Sequence, residues 1–130
     1  MPVLDTSFIV DLLRGKPEAH QKLAEMEAEG VSFSTTEINV LELYRGAYLS
    51  GKTPQNLDEI RKLLECFQVL ELEESVYEVF GSLSAKLLSE GKTIGAFDEL
   101  IAAIILCHDG KIVTRDNHFK EVPVLEVIVY

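Results

Sequence analysis

Four acidic residues stand at positions where they could build a metal site: Asp5, Glu42, Asp98 and Asp116. Two carboxylates about 5 Å apart repel by roughly 3 kcal/mol at an effective dielectric constant near 20, so a cluster of them takes up protons or binds cations. Oxygen ligands without histidine or thiolate favour hard ions, Mg²⁺ or Mn²⁺. Such ions orient water, lower its pKa and stabilise charge on a transferred phosphoryl group. If the four acids meet, they indicate phosphodiester hydrolysis.

Asp5 stands where a short strand must end and a helix must begin. Val3 and Leu4 before it are apolar, and the apolar residues that follow it recur at helical spacing. In an open α/β sheet, the carboxyl end of a strand borders the crevice that binds ligands. Asp116 follows a strand that ends at Thr114, so the two acids share one edge if the first and fourth strands are neighbours.

The other two acids belong to helices. We expect Asp98 to open the helix that leads into the fourth strand, which places it at the same edge of the sheet. Glu42 lies in the helix after the second strand and shares a helix face with Arg45, three residues further on. The four carboxylates can therefore converge.

Each acid also has an interpretation without a ligand. Asp98 could be a helix N-cap, Asp116 a turn residue, and Glu42 a solvated residue paired with Arg45. Asp5 is the hardest to explain this way, because it interrupts an apolar segment at the edge of the sheet. Spacing alone leaves both interpretations open.

Strands that alternate with helices must position these acids. The predicted strands are residues 3–4, 31–35, 69–72, 112–114 and 124–129, and the predicted helices are residues 6–14, 17–30, 37–51, 53–67, 74–90 and 98–106. Such alternation is typical of an α/β fold, here a three-layer α/β/α sandwich around a mainly parallel sheet. The last helix is almost entirely apolar, so it must be buried on most sides.

Composition and length favour one ordinary globular domain over residues 1–130. Hydrophobic residues make up 47% of the chain and charged residues 26%, which argues against disorder. The longest uncharged apolar run is too short to cross a bilayer, and the first residues lack the features of a signal peptide. We therefore expect a cytoplasmic protein with no membrane partner.

Cysteine and histidine offer no metal site of their own. Cys66 and Cys107 lie in helical patterns without the spaced partners of a zinc site, so we expect two buried free thiols. His20, His108 and His118 are scattered along the chain, which argues against a histidine cluster.

The formal net charge of −10 does not attract nucleic acid through the overall field. A nucleic-acid partner would have to be held by local positive groups or by bound cations.

Four segments resemble the signature segments of PIN-domain ribonucleases. They are residues 4–7, 41–46, 98–103 and 113–119, which read LDTS, LELYRG, DELIAA and VTRDNHF. Their order and the chain length are most similar to the VapC toxins of toxin–antitoxin pairs, and the resemblance covers nearly the whole chain. It implies a PIN-like sandwich, an Mg²⁺- or Mn²⁺-dependent endoribonuclease, a homodimer, and a VapB-like antitoxin that occupies the active site.

The resemblance also assigns residues. By it the four acids are the metal-site carboxylates, and three hydroxyl residues support them: Thr6, Ser7 and Thr114. Ser7 stands where the family often has asparagine. The candidates for contacts to RNA phosphates are Arg14, Lys16, Arg45 and Arg115.

Two further expectations concern role and assembly. A PIN-like module that binds or regulates without cleaving is the alternative function; the intact acids oppose it, while the net charge favours it. The helix that starts after Thr36 carries Tyr44, Tyr48 and Leu49 in addition to its inward face, and tyrosine is enriched where protein surfaces pair. We therefore expect a homodimer or the antitoxin to cover part of this helix.

Overall fold

Five short strands form one parallel sheet at the centre of the computed structural model, which describes residues 1–130. The strands are β1 (Val3–Leu4), β2 (Ser34–Thr36), β3 (Gln68–Leu70), β4 (Lys111–Val113) and β5 (Glu126–Ile128), and their order is β3-β2-β1-β4-β5. All four neighbouring pairs are parallel. Strands β1 and β4 are hydrogen-bonded to each other, which meets the condition for Asp5 and Asp116 to emerge at one edge.

Six α-helices cover the sheet on both faces. They are α1 (Thr6–Leu13), α2 (Pro17–Ala28), α3 (Glu37–Leu49), α4 (Thr53–Leu64), α5 (Ser75–Ser89) and α6 (Ala96–Leu106), and a 3-10 helix follows at Asn117–Glu121. Successive side chains of a strand point to opposite faces. Accordingly, Val3 packs in a cluster with α5 and α6, while Leu4 packs in a second cluster with α1 to α4. The predicted three-layer α/β/α sandwich is confirmed.

Helix α6 is the most deeply buried helix of the fold. Its five consecutive residues 101–105 are fully inaccessible to solvent. It begins at Ala96 and not at Asp98, because Gly95 has φ +98 and allows the chain to turn into the helix earlier. Asp98 therefore lies in the first turn, and the prediction that it opens the helix was wrong by two residues.

The observed boundaries of strands β2 and β5 differ from the predicted ones by a few residues. Strand β2 starts at Ser34, since the N–H of Val31 is still bonded to the carbonyl of Met26 at the end of α2. Strand β5 starts only after Val124, which is exposed and has φ +69. The alternation of strands and helices survives these shifts.

The prediction that both cysteines are buried was wrong. Cys66 is exposed and Cys107 only half-buried, because both follow the last turn of their helices; neither forms a disulfide. In α3, Leu41 and Tyr48 face solvent, while Leu43 is buried. A helix with apolar residues on several sides does not reveal its inward face by period alone.

No helix of the protein has both the length and the apolar character needed to cross a membrane.

Candidate active site

The carboxyl ends of β1 and β4 bring the first and last acids to the same edge of the sheet. The register pairs Leu4 with Val113, and the Asp5 N–H donates to the Val113 carbonyl at 3.0 Å. Thr114 follows β4, and its Oγ1 donates to Asp5 Oδ2 at 2.7 Å. Asp116 comes two residues later and caps the 3-10 helix by accepting from the His118 N–H at 2.9 Å. Asp116 is therefore both a turn residue and a neighbour of Asp5, so its two interpretations are compatible.

The Asp5 carboxylate is almost completely buried, with 5% of its surface exposed. Burial raises the pKa of Asp5, while hydrogen bonds from its neighbours oppose that rise. Oδ2 accepts from Thr114 and from Ser7 at 3.2 Å, and Oδ1 accepts from Asn39 Nδ2 at 3.1 Å. Two of the three predicted supporting hydroxyls therefore contact Asp5 directly.

Glu42 reaches the same place from α3. The third predicted hydroxyl, Thr6 Oγ1, donates to Glu42 Oε1 at 2.7 Å. Burial raises the pKa of Glu42, and the negative charges of Asp5 and Asp116 add to the rise; the hydrogen bond from Thr6 and the charge of Arg45 oppose it. Glu42 therefore lies close enough to Asp5 and Asp116 for their charges to act on it.

Asp98 completes the cluster from the first turn of α6. Burial and then the charges of Asp5, Asp116 and Glu42 raise the pKa of Asp98 to about 7. One ligand atom each from Asp98, Asp116 and His118 lie within 4.8 Å of one another. All four predicted acids therefore converge on one site.

Asn39 is a site residue that the sequence analysis missed. Its side chain is fully buried and contacts both Asp5 and Thr6. A signal for it was present, since Thr36 and Asn39 stand three apart at the start of a helix and form a capping box. The sequence predicted that the helix starts after Thr36 but did not show where the asparagine amide would point.

The four predicted phosphate-binding cations differ in their surroundings. Arg45 lies over the ring of Phe97, 5.3 Å from its centroid, next to Asp98 in sequence. Arg14 is exposed and lines a groove of about 200 Å³ that Glu42 also borders. Lys16 is exposed at the start of α2. These three cations have no ion-pair partner within the chain, whereas the fourth has one.

Arg115 is bound to Asp11 on α1. Its Nε and one terminal nitrogen donate to the Asp11 carboxylate at 2.9 and 3.3 Å, and the Tyr130 hydroxyl donates to the same group at 2.6 Å. Asp11 is 5% exposed; burial alone would raise the pKa of Asp11, but these hydrogen bonds hold it below its ordinary value. Asp11 was not predicted as a partner of Arg115, for which the resemblance suggested only contacts to phosphate.

The donor set suits a hard divalent cation. The four converging carboxylates offer oxygen ligands, which hard cations prefer. The three hydroxyls and the asparagine amide form hydrogen bonds to two of these carboxylates, Asp5 and Glu42. Carboxylates crowded enough to raise the Asp98 pKa to about 7 repel each other, and a cation would relieve that repulsion. A cavity of about 580 Å³ lies at the opposite edge of the sheet beside Pro2, Lys111 and Glu126, and contains none of the four acids.

Comparisons with known proteins agree with this site and fold. The PIN domain family model matches residues 3–125. The ribonuclease VapC19 of Mycobacterium tuberculosis is 30% identical over 127 residues, which are 97% of this chain and 98% of that protein. The ribonuclease VapC2 of Rickettsia felis is 26% identical over 122 residues, 93% of this chain and 91% of that protein.

Solved structures give the same result. The VapBC-1 structure from nontypeable Haemophilus influenzae superposes with a TM-score of 0.85 at 26% identity, covering 96% of this chain and 94% of that one. The VapBC2 structure from Rickettsia felis, solved bound to a promoter DNA fragment, superposes with a TM-score of 0.89 at 24% identity. The superposition covers 98% of this chain and 97% of that one, and it supports the fold. The chain therefore belongs to the PIN-domain family. Its resemblance to the VapC toxins within that family is confirmed by the relatives named above.

Proposed function

We propose that this protein is a metal-dependent endoribonuclease that hydrolyses RNA phosphodiester bonds and acts as the toxin of a toxin–antitoxin pair. The observation that carries the proposal is the convergence of four carboxylates from four separate segments at one edge of the sheet. The relatives named as ribonucleases supply the class of substrate. A cytoplasmic location accords with an RNA substrate.

The four acids Asp5, Glu42, Asp98 and Asp116 would hold Mg²⁺ or Mn²⁺. When bound, such an ion orients a water molecule, lowers its pKa and stabilises charge on the phosphoryl group. The chain's own hydroxyls orient two of the acids and favour their charged form: Thr114 and Ser7 donate to Asp5, and Thr6 donates to Glu42. Hydrogen bonds to the charged form oppose the rise in pKa that burial causes.

RNA would be held by a small number of cations. Arg45 and Arg14 are the best placed, because the charge of Arg45 acts on Glu42 and Arg14 shares a groove with Glu42. Lys16 follows Arg14 closely in the chain. Arg115 is engaged with Asp11, but 57% of its side chain is exposed, so it can reach a phosphate only in addition to its present partner.

The test of catalysis is cleavage of a mixed RNA pool with and without Mn²⁺, followed by sequencing of the new ends. We expect cleavage only with the ion, and none by Asp5→Asn, which removes one ligand charge at nearly constant shape. Relief of the repulsion between Asp5 and the carboxylates of Glu42 and Asp98 should leave the metal-free variant as stable as the parent or more stable in thermal unfolding. A purified Asp5→Asn protein that cuts as fast as the parent would show that Asp5 is not a metal ligand.

The same experiment separates the alternative function, a PIN-like module that binds without cleaving. The net charge of −10 is the observation that favours this alternative. A melting temperature that rises with Mn²⁺ while no RNA is cut under any condition would support it, because ligands of the folded state stabilise by mass action.

The proposed assembly is a homodimer that also binds a VapB-like antitoxin; several solved neighbours are VapBC structures. On α3, Tyr48 is 69% and Leu49 81% exposed, although both are large and partly apolar. We expect Leu49→Glu to weaken self-association measured by light scattering, with Lys52→Gln, which changes the net charge by the same amount, as a control for the change in charge. A parent protein that is monomeric at high concentration, alone and after removal of any bound partner, would contradict the dimer.

A further inference from the structure

A chain of hydrogen bonds leads from the start of α3 to two of the four acids, and Asn39 stands in its middle. Asn39 Oδ1 accepts from Thr36 Oγ1 at 2.7 Å and from the Thr36 N–H at 3.3 Å. Asn39 Nδ2 donates to Asp5 Oδ1 at 3.1 Å and to Thr6 Oγ1 at 3.0 Å. The side chain is fully buried, so water does not compete for these bonds.

The direction of every bond in this chain is determined. The amide oxygen must face Thr36, because Thr36 presents two donors to it; the amide nitrogen must then face the acids. An amide nitrogen has two hydrogens, and both are used. Thr6 accepts one of them, which leaves its own single hydrogen for Glu42 Oε1 at 2.7 Å.

The two acids at the end of this chain come from different elements. Asp5 follows β1, whereas Glu42 lies on α3, and the Asn39 amide reaches Asp5 directly and Glu42 through Thr6. Each carboxylate oxygen can accept two hydrogen bonds or ligands. The hydrogen bonds from Asn39 to Asp5 and from Thr6 to Glu42 therefore hold each carboxylate in place and leave acceptor capacity for a cation.

We propose that Asn39 is a positioning residue that sets the orientation of Asp5 and Glu42 relative to each other for binding a divalent cation. This role rests on the proposed metal-dependent function. Asn39 touches neither ion nor RNA and acts only through the two acids. Partners that orient metal ligands in this way change metal affinity by about 10- to 100-fold when they are removed.

A purely structural role must be distinguished from this one, because Asn39 also completes the capping box of α3. Loss of the cap lowers stability without changing metal affinity. Ser34→Ala is a matched control: it removes a buried 3.2 Å hydrogen bond, to the Pro2 carbonyl, at the opposite end of the strands.

The experiment measures the Mn²⁺ dissociation constant by titration calorimetry and the metal-free melting temperature for the parent, Asn39→Leu and Ser34→Ala. We expect both variants to melt at lower temperature, and only Asn39→Leu to bind Mn²⁺ about ten-fold more weakly or worse. If Asn39→Leu does not fold, Asn39→Thr replaces it. Its shorter hydroxyl cannot reach both acceptors, so its affinity must still fall about five-fold relative to Ser34→Ala.

Equal Mn²⁺ affinity in the Asn39 variants and in Ser34→Ala would overturn the positioning role and leave the proposed function intact. A parent protein that binds no Mn²⁺ would instead overturn the proposed function, and the role of Asn39 with it. Thr6→Val tests the indirect link: combined with Asn39→Leu, it should weaken binding by less than the product of the two separate losses. Losses that multiply fully would overturn the coupling of Asn39 to Glu42.

Discussion

At the scale of single residues, Asp98 is the acid whose protonation depends most on the other three. Burial and three neighbouring carboxylates together bring the pKa of Asp98 to about 7, against an ordinary value of 3.8. The metal-free folded protein therefore carries a proton that the unfolded chain has already lost in mildly acidic solution. A divalent cation bound by these acids would compete with this proton for the same site.

This competition predicts a pH dependence of stability. Because the pKa of Asp98 is raised in the folded state, the stability it contributes is present at low pH and is lost as the pH rises from about 4 to about 7. After a discount for its partial exposure, we expect Asp98→Asn to recover about 1–2 kcal/mol at pH of about 8 and to flatten the profile. Denaturant unfolding of metal-free protein between about pH 5 and about pH 8 measures this.

The control for that prediction is saturating Mn²⁺, which binds the deprotonated site and should reverse the trend for the parent but not for Asp98→Asn. Metal-free parent and Asp98→Asn profiles that run parallel would contradict the assigned protonation of Asp98.

At the scale of elements, the start of α6 determines where Asp98 lies. Gly95 adopts φ +98 and ψ 147, a conformation that residues with a side chain rarely adopt, and it directly precedes the helix. The turn at Gly95 therefore sets the direction in which α6 enters the core and the position of Asp98 in its first turn.

We expect Gly95→Ala to destabilise the protein by about 1–3 kcal/mol and to weaken Mn²⁺ binding, because the strained turn shifts Asp98. Gly81→Ala is the matched control: Gly81 lies inside α5 with open space around its Cα, so alanine should stabilise by about 0.5–1 kcal/mol and leave Mn²⁺ binding unchanged. Thermal unfolding and calorimetric titration of both variants test this. Unchanged stability and affinity in Gly95→Ala would show that the turn tolerates a side chain.

At the scale of the whole molecule, the net charge of −10 opposes an RNA substrate. The protein can hold RNA only where bound cations and a few arginines outweigh the overall field. Of the four candidate cations, Arg115 already neutralises Asp11, so at most three remain for phosphates.

This count predicts how RNA binding depends on salt. With two or three phosphates neutralised, the logarithm of affinity should fall with the logarithm of monovalent salt at a slope of about −1.4 to −2, and divalent ions should matter more. The measurement is binding of uncleaved RNA to Asp5→Asn across a salt series. Arg45→Ala should make the slope shallower by about 0.7, because one phosphate contact is lost. Arg115→Ala should mainly lower stability, and it should weaken RNA binding less than Arg45→Ala does. A slope steeper than about −4 would indicate a basic surface outside the proposed site.

The local sequence was sufficient for those features whose cause is local. The alternation of strands and helices follows from apolar periodicity, and it implies the parallel sheet. The common edge for Asp5 and Asp116 also required β1 and β4 to be neighbours, which the structure shows. The burial of α6 follows from its unbroken apolar run, and the resemblance of four segments assigned all four acids and the three hydroxyls that the structure places beside them.

Other features depended on contacts between residues far apart in the chain, and only the tertiary structure decided them. Asn39 resembles a cap in sequence, yet its amide lies between Asp5 and Thr6, more than 30 positions away. Arg115 resembles a free cation until α1 brings Asp11 against it. Period along a helix says which residues share a face, but packing determines which face is covered and which partner each polar side chain meets.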